Sequence, residues 1–243
     1  MLINKPDGNA ISFLAVIPAR GGSKRAPNKN IRPLHGKPLV SWSIEAALES
    51  KFIDTIVVSS DDLNVLNIAG AYGQRVDTIN RPEHLSSDTA KTPDVVIHAM
   101  DSLCQPYDAV ILLQPTSPFR TAIHIDEALE LYVQKGADGI ISVTKAPVSP
   151  LWCNILPEDG SMSHFLDRQL IETRSQDFPV YHTLNGAIFI ANTRKLREQG
   201  HFYLTENVYA YNMSPAASVD IDTEEDFAYA EFLCTQNTAV SAP

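Results

Sequence analysis

Cysteine is scarce in this chain, and its three occurrences lie far apart. Cys104, Cys153 and Cys234 form no Cys-x-x-Cys pair among the 243 residues. Scattered cysteines do not build the disulfide framework of a small secreted domain, and they lack the spacing of a thiolate zinc site. The seven histidines show no metal-ligand spacing either. This usage favours a protein of the reducing cytoplasm.

Long apolar runs are also absent. No stretch approaches the roughly 18 apolar residues that a membrane-spanning helix needs, and residues 1–10 are polar, unlike a signal peptide. We therefore expect no membrane partner. The formal net charge of −10 argues against general binding to nucleic acid, whose phosphates attract basic surfaces.

Acidic residues are missing from one segment of this otherwise acidic chain. Between Gly8 and Ile44 there is no Asp or Glu, whereas six lysines and arginines occur there. Within it, an apolar run ending at Pro18 leads into a loop that contains Gly21 and Gly22. Glycines let backbone N–H groups approach phosphate oxygens, and nearby cations offset the negative charge. The segment predicts a site for a highly charged anion, most simply a nucleoside triphosphate.

Short apolar runs alternate with helical patterns along the chain. Strands are predicted at residues 12–18, 53–59, 75–79, 109–113, 139–143 and 187–191, and helices at 38–50, 61–72, 92–103, 122–134 and 223–232. This order is typical of an α/β fold with three layers and a mostly parallel, Rossmann-like sheet. Asp61 is expected to cap the second helix. We expect residues 1–243 to form one domain and residues 151–179 to be an insertion.

Four polar segments follow predicted strands. They are the loop after Ile17 and residues 59–62, 114–120 and 144–150. Ligands of such sheets bind beyond the carboxyl ends of the strands, so we expect these segments to meet at one site.

Two carboxylates stand one residue apart near the end of the sequence. Asp220 and Asp222 would face the same side of an extended segment and could hold Mg²⁺, or Mn²⁺, together with water and phosphate ligands. Alternatively, Asp222 caps the following helix, with Glu225 completing a capping box. At this stage both interpretations stay open.

Several blocks, in order, resemble the acylneuraminate cytidylyltransferases, also called CMP-sialic acid synthetases. The blocks are IPARGGSK at residues 17–24, KNI at 29–31, RPEHL at 81–85 with SD at 87–88, LLQPTSP at 112–118, NGAI at 185–188 and DID at 220–222. The family couples CTP to a nonulosonic acid, a nine-carbon 2-keto acid sugar, and releases pyrophosphate. The resemblance implies the fold of the nucleotide-diphospho-sugar transferases.

The resemblance also implies roles for individual residues. The triphosphate and the reacting centre would be handled by Arg20, Lys24, Lys29 and Asn30, and the nucleotide by Ala19, Gly21, Gly22, Ser23, Arg81 and Thr92. The sugar would be bound by Gln114, Lys145 and Arg174, and the metal by Asp220 and Asp222. In this family the segment matching residues 151–179 reaches a second subunit, which implies a homodimer. No general base is assigned.

Two other function classes stay open. The Asp-x-Asp spacing also occurs in metal-dependent glycosyltransferases that consume nucleotide sugars, although that class leaves the Gly-Gly-Ser-Lys loop unexplained. A non-catalytic CTP sensor would bind the nucleotide without turnover. Within the leading interpretation, the sugar could be N-acetylneuraminate, legionaminate or pseudaminate, and the KNI and QPTSP blocks disfavour 2-keto-3-deoxy-octonate (KDO).

Overall fold

The computed structural model describes residues 10–22 and 26–240. The strands are β1 (Phe13–Pro18), β2 (Pro33–Leu34), β3 (Lys37–Pro38), β4 (Thr55–Ser60), β5 (Val76–Asn80), β6 (Ala109–Leu112), β7 (Gly139–Lys145), β8 (His182–Asn192) and β9 (Val208–Met213). The α-helices are α1 (Leu39–Glu49), α2 (Leu63–Gly70), α3 (Thr92–Asp101), α4 (Ala122–Lys135), α5 (Arg168–Ile171), α6 (Thr193–Gln199) and α7 (Glu224–Val240).

Seven of these described strands form one mixed sheet. Its order is β5-β4-β1-β6-β8-β7-β9, and β2 pairs with β3 as a separate short ribbon. Strand β8 runs antiparallel to both of its neighbours, whereas the other pairings in the sheet are parallel. The prediction of a mostly parallel α/β sheet is therefore confirmed.

The core lies on both faces of this sheet, as strand β1 shows. Phe13, Ala15 and Ile17 point into one buried cluster, whereas Leu14 and Val16 point into the other. Side chains alternate between the two faces of a strand, so a continuous apolar run is what a doubly covered strand requires. Helices α1, α2 and α4 cover the first face, and α3 and α6 cover the second.

Some elements of the fold were not predicted from the sequence, and one helix cap was predicted at the wrong residue. Asp62, not Asp61, caps α2, because its side chain accepts a hydrogen bond from the backbone N–H of Asn64 at 2.8 Å. Strand β8 begins five residues earlier than predicted, at His182. Strand β9 lies at the sheet edge with mostly exposed side chains, and α6 buries little besides Leu196. Neither β9 nor α6 carries a strong apolar pattern, which is why both were missed.

A third buried cluster fixes the segment that precedes α7. Ile221 is fully buried in it, between the two aspartates of the Asp-x-Asp motif. The capping box belongs to Thr223 and Asp226, because the hydroxyl of Thr223 accepts from the N–H of Asp226 and the carboxylate of Asp226 accepts from the N–H of Thr223. The expectation that Asp222 and Glu225 form this box is wrong, since the helix begins one residue later than that pairing requires.

The segment from β7 to β8 is irregular. Besides α5 it contains two short 3₁₀ turns, Pro150–Trp152 and Ser175–Asp177. Large apolar side chains are exposed along it, among them Ile155, Leu156, Met162, Ile171 and Val180. Of the helices in the described ranges, none is long and apolar enough to span a membrane.

Candidate active site

The principal cavity lies at the carboxyl ends of the parallel strands. Strands β4 and β5 are added on one side of β1 and β6 on the other, so the strand order reverses beside β1. Open α/β sheets bind ligands at such a reversal. The cavity has a volume of about 590 Å³, and its polar lining includes Arg20, Lys29, Asn30, Arg81, Asp88, Thr92, Gln114, Thr116 and Asp222.

Lys29 joins the first loop to the segment that precedes α7. Its ammonium group donates to the carbonyl oxygen of Ile221 at 2.6 Å and lies 3.2 Å from Oδ1 of Asp222. The side chain is almost entirely buried, so solvent screens this charge weakly. Next to it, the amide of Asn30 donates to the carbonyl oxygen of Arg20 at 2.8 Å and fixes the loop.

Arg20 spans the cavity to reach an acidic residue on the other side. Its Nη1 lies 2.8 Å from Oδ1 of Asp88, and both side chains are partly exposed. The guanidinium therefore lines the cavity while it is paired with a carboxylate. A phosphate group that enters would compete with that carboxylate for the same donor.

The glycine loop packs closely against the start of α2. The backbone N–H of Gly21 donates to Oδ1 of Asp61 at 3.0 Å. A Cβ at Gly21 would lie 2.9 Å from Cβ of Asp62, whereas a Cβ at Gly22 would meet nothing within 4 Å. Gly21 is therefore required by this close approach. Ser23 and Lys24, predicted in the same loop, lie outside the described residues.

Arg81 forms a buried part of the cavity wall. Its side chain donates to the hydroxyl and the carbonyl oxygen of Ser59, and its own N–H donates to the carbonyl oxygen of Ser60 at 2.8 Å. Burial lowers the pKa of Arg81, an effect that Asp61 opposes and Arg20 reinforces. These bonds hold a cation rigidly beside Thr92, which begins α3.

Gln114, Gly186 and Asp220 meet at the other end of the site. Gly186 has φ +72°, and a Cβ built on it would lie 3.8 Å from Oε1 of Gln114 and 3.9 Å from Oδ2 of Asp220. The buried amide of Asn185 fixes this turn, since it accepts from the hydroxyl of Ser142 at 2.6 Å and donates to that of Ser218 at 2.9 Å. Gly186 thus keeps the space between an amide and a carboxylate open.

The Asp-x-Asp pair has the character of a cation site. Asp220 is exposed to solvent, yet the protein atoms around its carboxyl group desolvate it and raise its pKa; a hydrogen bond with Thr116 opposes this rise, and repulsion from Asp222 adds to it. A divalent cation would relieve that repulsion. Among the residues that the structure describes, no three His, Cys, Asp or Glu side chains gather into a metal cluster. A cation held by Asp220 and Asp222 would therefore need further ligands from water and phosphate, which suits Mg²⁺.

Several predicted residues do not line this cavity. Ala19 is fully buried and donates its N–H to the carbonyl oxygen of Ser59 at 3.0 Å. Gly22 is exposed and does not line the cavity. Lys145 ends β7 opposite His182, and Arg174 is exposed in the irregular segment before β8. The structure therefore brings the loop, strand-end and Asp-x-Asp residues together and leaves the two sugar-side cations apart.

Asp61 and Asp88 were not predicted to be site residues. Asp61 was interpreted as a helix cap, and Asp88 was only part of a matching block. Their contacts with Gly21 and Arg20 are made across 40 and 68 residues. No local pattern signals such contacts, because only the packing of α2 and of the segment after β5 against the first loop creates them.

Comparison with known proteins agrees with this geometry. A family described as cytidylyltransferase matches residues 14–242, nearly the whole chain. This chain belongs to the cytidylyltransferase family. Membership decides against the glycosyltransferase interpretation of the Asp-x-Asp motif.

The chain is similar to several individual proteins of known name. The chain is 38% identical over 228 residues to the CMP-N,N′-diacetyllegionaminic acid synthase of Legionella pneumophila, and the match covers 93% of this chain and 97% of that protein. It is 38% identical to the N-acylneuraminate cytidylyltransferase of Escherichia coli, with 90% of this chain covering 51% of that longer protein. The pseudaminic acid cytidylyltransferase of Campylobacter jejuni is 32% identical, with 92% and 97% covered.

Solved structures share the fold at low sequence identity. A CMP:2-keto-3-deoxy-manno-octonic acid synthetase complexed with CTP superposes with a TM-score of 0.66 at 17% identity, covering 93% of this chain and 99% of that one. The 4-diphosphocytidyl-2C-methyl-D-erythritol synthase of Anaerococcus prevotii gives 0.64 at 13% identity, with 93% and 96% covered. At these identities the likeness establishes the fold alone, which is of the predicted nucleotide-diphospho-sugar transferase type.

Proposed function

We propose that this protein couples CTP to a nonulosonic acid and releases pyrophosphate. The anomeric hydroxyl of the sugar attacks the α-phosphorus, a new P–O bond forms, and the bond to the bridging oxygen of the β-phosphate breaks. The products are the CMP-sugar, pyrophosphate and the proton of the hydroxyl. The observation that carries the proposal is the cavity at the strand-order reversal, where Arg20, Lys29 and Arg81 surround a space bordered by Asp222.

Phosphoryl transfer depends mainly on positioning and on neutralising the charge that develops on phosphate oxygens. Lys29 is suited to the phosphates because it is buried and held by Ile221 and Asp222. Arg20 becomes available once the triphosphate replaces Asp88, and Asn30 fixes the backbone of Arg20. We assign these three residues, with Lys24, to the triphosphate and the reacting centre.

The remaining lining divides into a nucleotide side and a sugar side. Arg81, which directly follows β5, and Thr92, which begins α3, are assigned to the nucleotide. Gln114, beside Gly186, is assigned to the sugar, whose hydroxyls and acylamino groups suit an amide partner. The hydrogen bonds of Arg81 to Ser59 hold its guanidinium in place for the nucleotide.

We assign Mg²⁺ to Asp220 and Asp222, with Mn²⁺ as the alternative cation. When bound, such a cation neutralises phosphate charge. The two carboxylates repel each other, which adds to the rise that burial causes in the pKa of Asp220, and a bound cation would offset that repulsion.

We further propose a homodimer that forms through the irregular segment around residues 151–179. This segment exposes several large apolar side chains close together in the chain, including Ile155, Leu156 and Met162, and exposed apolar side chains of this kind favour a protein interface. Arg174 lies in this segment and does not line the cavity of its own chain, so we assign it to the sugar carboxylate in the partner's site. Lys145, at the end of β7, is assigned to the same carboxylate. The free thiols favour a cytoplasmic location.

The test is pyrophosphate release by the purified protein with Mg²⁺. CTP, ATP, GTP and UTP are each combined with N,N′-diacetyllegionaminate, N-acetylneuraminate, pseudaminate and KDO. We expect release with CTP and a nonulosonate only, and the sugar with the highest kcat/KM identifies the substrate. Release with KDO alone, or with no sugar, contradicts the proposal. CTP binding without release from any pair supports the sensor alternative.

A further inference from the structure

Arg120 is buried without a counter-ion. It follows the loop after β6 and is only 1% exposed, the largest of the fully buried side chains. Within the described ranges no carboxylate pairs with it, and its Nε and Nη1 atoms have no hydrogen-bond partner. Burial lowers the pKa of Arg120. A buried unpaired charge is unfavourable for stability, and an apolar residue of similar size would fill the space at less cost.

The one side-chain nitrogen of Arg120 that has a hydrogen-bond partner connects it to the site. Its Nη2 donates to the hydroxyl of Ser43 at 2.6 Å and to the carbonyl oxygen of Gln114 at 3.4 Å. The hydroxyl of Ser43 in turn donates to the same carbonyl oxygen at 3.1 Å. The N–H of Ser117 is a third donor to that oxygen, at 3.3 Å. Three donors from three residues thus converge on the backbone of Gln114.

The turn that begins at Gln114 connects the lining of the cavity to the Asp-x-Asp segment. The side chain of Gln114 lines the cavity and lies next to Gly186 and Asp220. Two residues later, the carbonyl oxygen of Thr116 accepts from the N–H of Ile221 at 2.8 Å and so ties the turn to the Asp-x-Asp segment. A small rotation of this turn would displace the amide relative to the carboxylates. Displacement of about 1 Å is enough to slow a positioned reaction strongly.

We propose that Arg120 is a positioning residue, which acts with Ser43 to hold the carbonyl of Gln114 so that its amide meets the sugar substrate. The role rests on the proposed function of the cavity. A cation suits this role because a charged donor makes a stronger hydrogen bond to a carbonyl than a neutral donor does. Arg120 touches neither substrate and acts through Gln114.

The experiment compares Arg120→Met, Arg120→Lys and Ser43→Ala with the unchanged protein. We expect Arg120→Met to lower kcat/KM for the sugar about 10-fold or more, while the dissociation constant of Mg²⁺–CTP stays within about 2-fold. Arg120→Lys should keep part of the kcat/KM that Arg120→Met loses. The kcat/KM of Ser43→Ala should lie between the values of Arg120→Met and the unchanged protein. Arg75→Met is the matched control, since Arg75 is exposed and donates to the carbonyl oxygen of Leu48, away from the cavity.

A double-mutant cycle with Gln114→Ala separates positioning from general damage. If Arg120 acts through the amide, Arg120→Met should cost little in the Gln114→Ala background. Additive losses, or an unchanged sugar kcat/KM in a folded Arg120→Met variant, would overturn the proposal. If Arg120→Met does not fold, Arg120→Lys and Ser43→Ala decide in the same cycle.

A second readout does not depend on turnover. Hydrogen exchange at the N–H of Ser117, which bonds to the carbonyl of Gln114, should be faster in Arg120→Met and Ser43→Ala than in the unchanged protein. Unchanged protection would contradict the holding role. If the unchanged protein turns over no sugar at all, the proposed function fails, while the exchange result still decides whether Arg120 holds this turn.

Discussion

The ammonium of Lys29 lies 3.2 Å from Asp222 and 2.6 Å from the carbonyl oxygen of Ile221, so the first loop is joined to the segment that precedes α7. The residues are separated by more than 190 positions in the chain. Lys29 thus places the cation that we assign to the triphosphate next to the carboxylates that we assign to the metal. Its loss should affect the reaction more than it affects the fold.

Replacement of this cation tests that expectation. Lys29→Ala should lower kcat for pyrophosphate release by about 10²- to 10³-fold, as removal of one preorganised donor does elsewhere. Lys51→Ala is the control, because Lys51 is 68% exposed and lies away from the cavity. Circular dichroism and thermal unfolding should show that both variants are folded. A folded Lys29→Ala variant with unchanged kcat would remove Lys29 from the reacting centre.

The pair of Arg20 with Asp88 predicts competition with the nucleotide. Asp88→Asn keeps the shape of the side chain but removes its charge, so the triphosphate no longer displaces a carboxylate from Arg20. We expect Mg²⁺–CTP to bind about 2- to 5-fold more tightly, since an exposed ion pair of this kind contributes up to about 1 kcal/mol.

Titration calorimetry at low and high salt measures this effect. The gain should shrink at high salt, because partly exposed charges are screened. Asp77→Asn, on the exposed part of β5, is the control and should leave the affinity unchanged. Weaker binding by Asp88→Asn would mean that Asp88 orients Arg20 for the nucleotide instead of competing with it.

Gly21 and Gly22 provide a matched pair of substitutions. Gly21→Ala would place a Cβ 2.9 Å from Cβ of Asp62 and should reduce the free energy of unfolding by about 1–3 kcal/mol, as overpacking does. Gly22→Ala meets nothing within 4 Å and should change it little. Urea unfolding of the two variants measures the difference. Equal stabilities would show that the loop does not pack on α2 as described.

Assignment of Arg174 to the partner's site predicts complementation between inactive variants. Arg174→Ala and Lys29→Ala should each be nearly inactive alone. After mixing and subunit exchange, half of the dimers would be mixed, and each would hold one intact site, so activity should return to about a quarter of the original value. No recovery, despite exchange shown by native mass spectrometry, would place Arg174 in the site of its own chain.

The sequence was informative wherever a local pattern determines the structure. The continuous apolar run of β1 predicts a strand that is covered on both faces, and the glycines that follow it predict a loop at the carboxyl end of that strand. The Asp-x-Asp spacing likewise identified the carboxylate pair. These features depend on residues that are neighbours in the chain, so a single sequence reveals them together with the fold class.

The remaining features depend on contacts between distant segments. Asp61 was predicted to cap a helix, and only the packing of α2 against the first loop makes it the acceptor for the N–H of Gly21. No sequence pattern identified Arg120 as a positioning residue, because its bond to Ser43 joins residues that are 77 positions apart in the chain. Edge strand β9 was missed because its exposed side chains carry no apolar alternation strong enough to identify it.

The ³¹P NMR spectrum of a reaction with CTP, Mg²⁺ and a nonulosonic acid tests the central claim most directly. N,N′-diacetyllegionaminate, N-acetylneuraminate and pseudaminate are each supplied in turn. With one or more of them, the triphosphate signals should give way to one phosphodiester signal and an equal amount of pyrophosphate. Formation of CDP or free CMP in place of the phosphodiester, or unchanged CTP with all three sugars, would contradict the account.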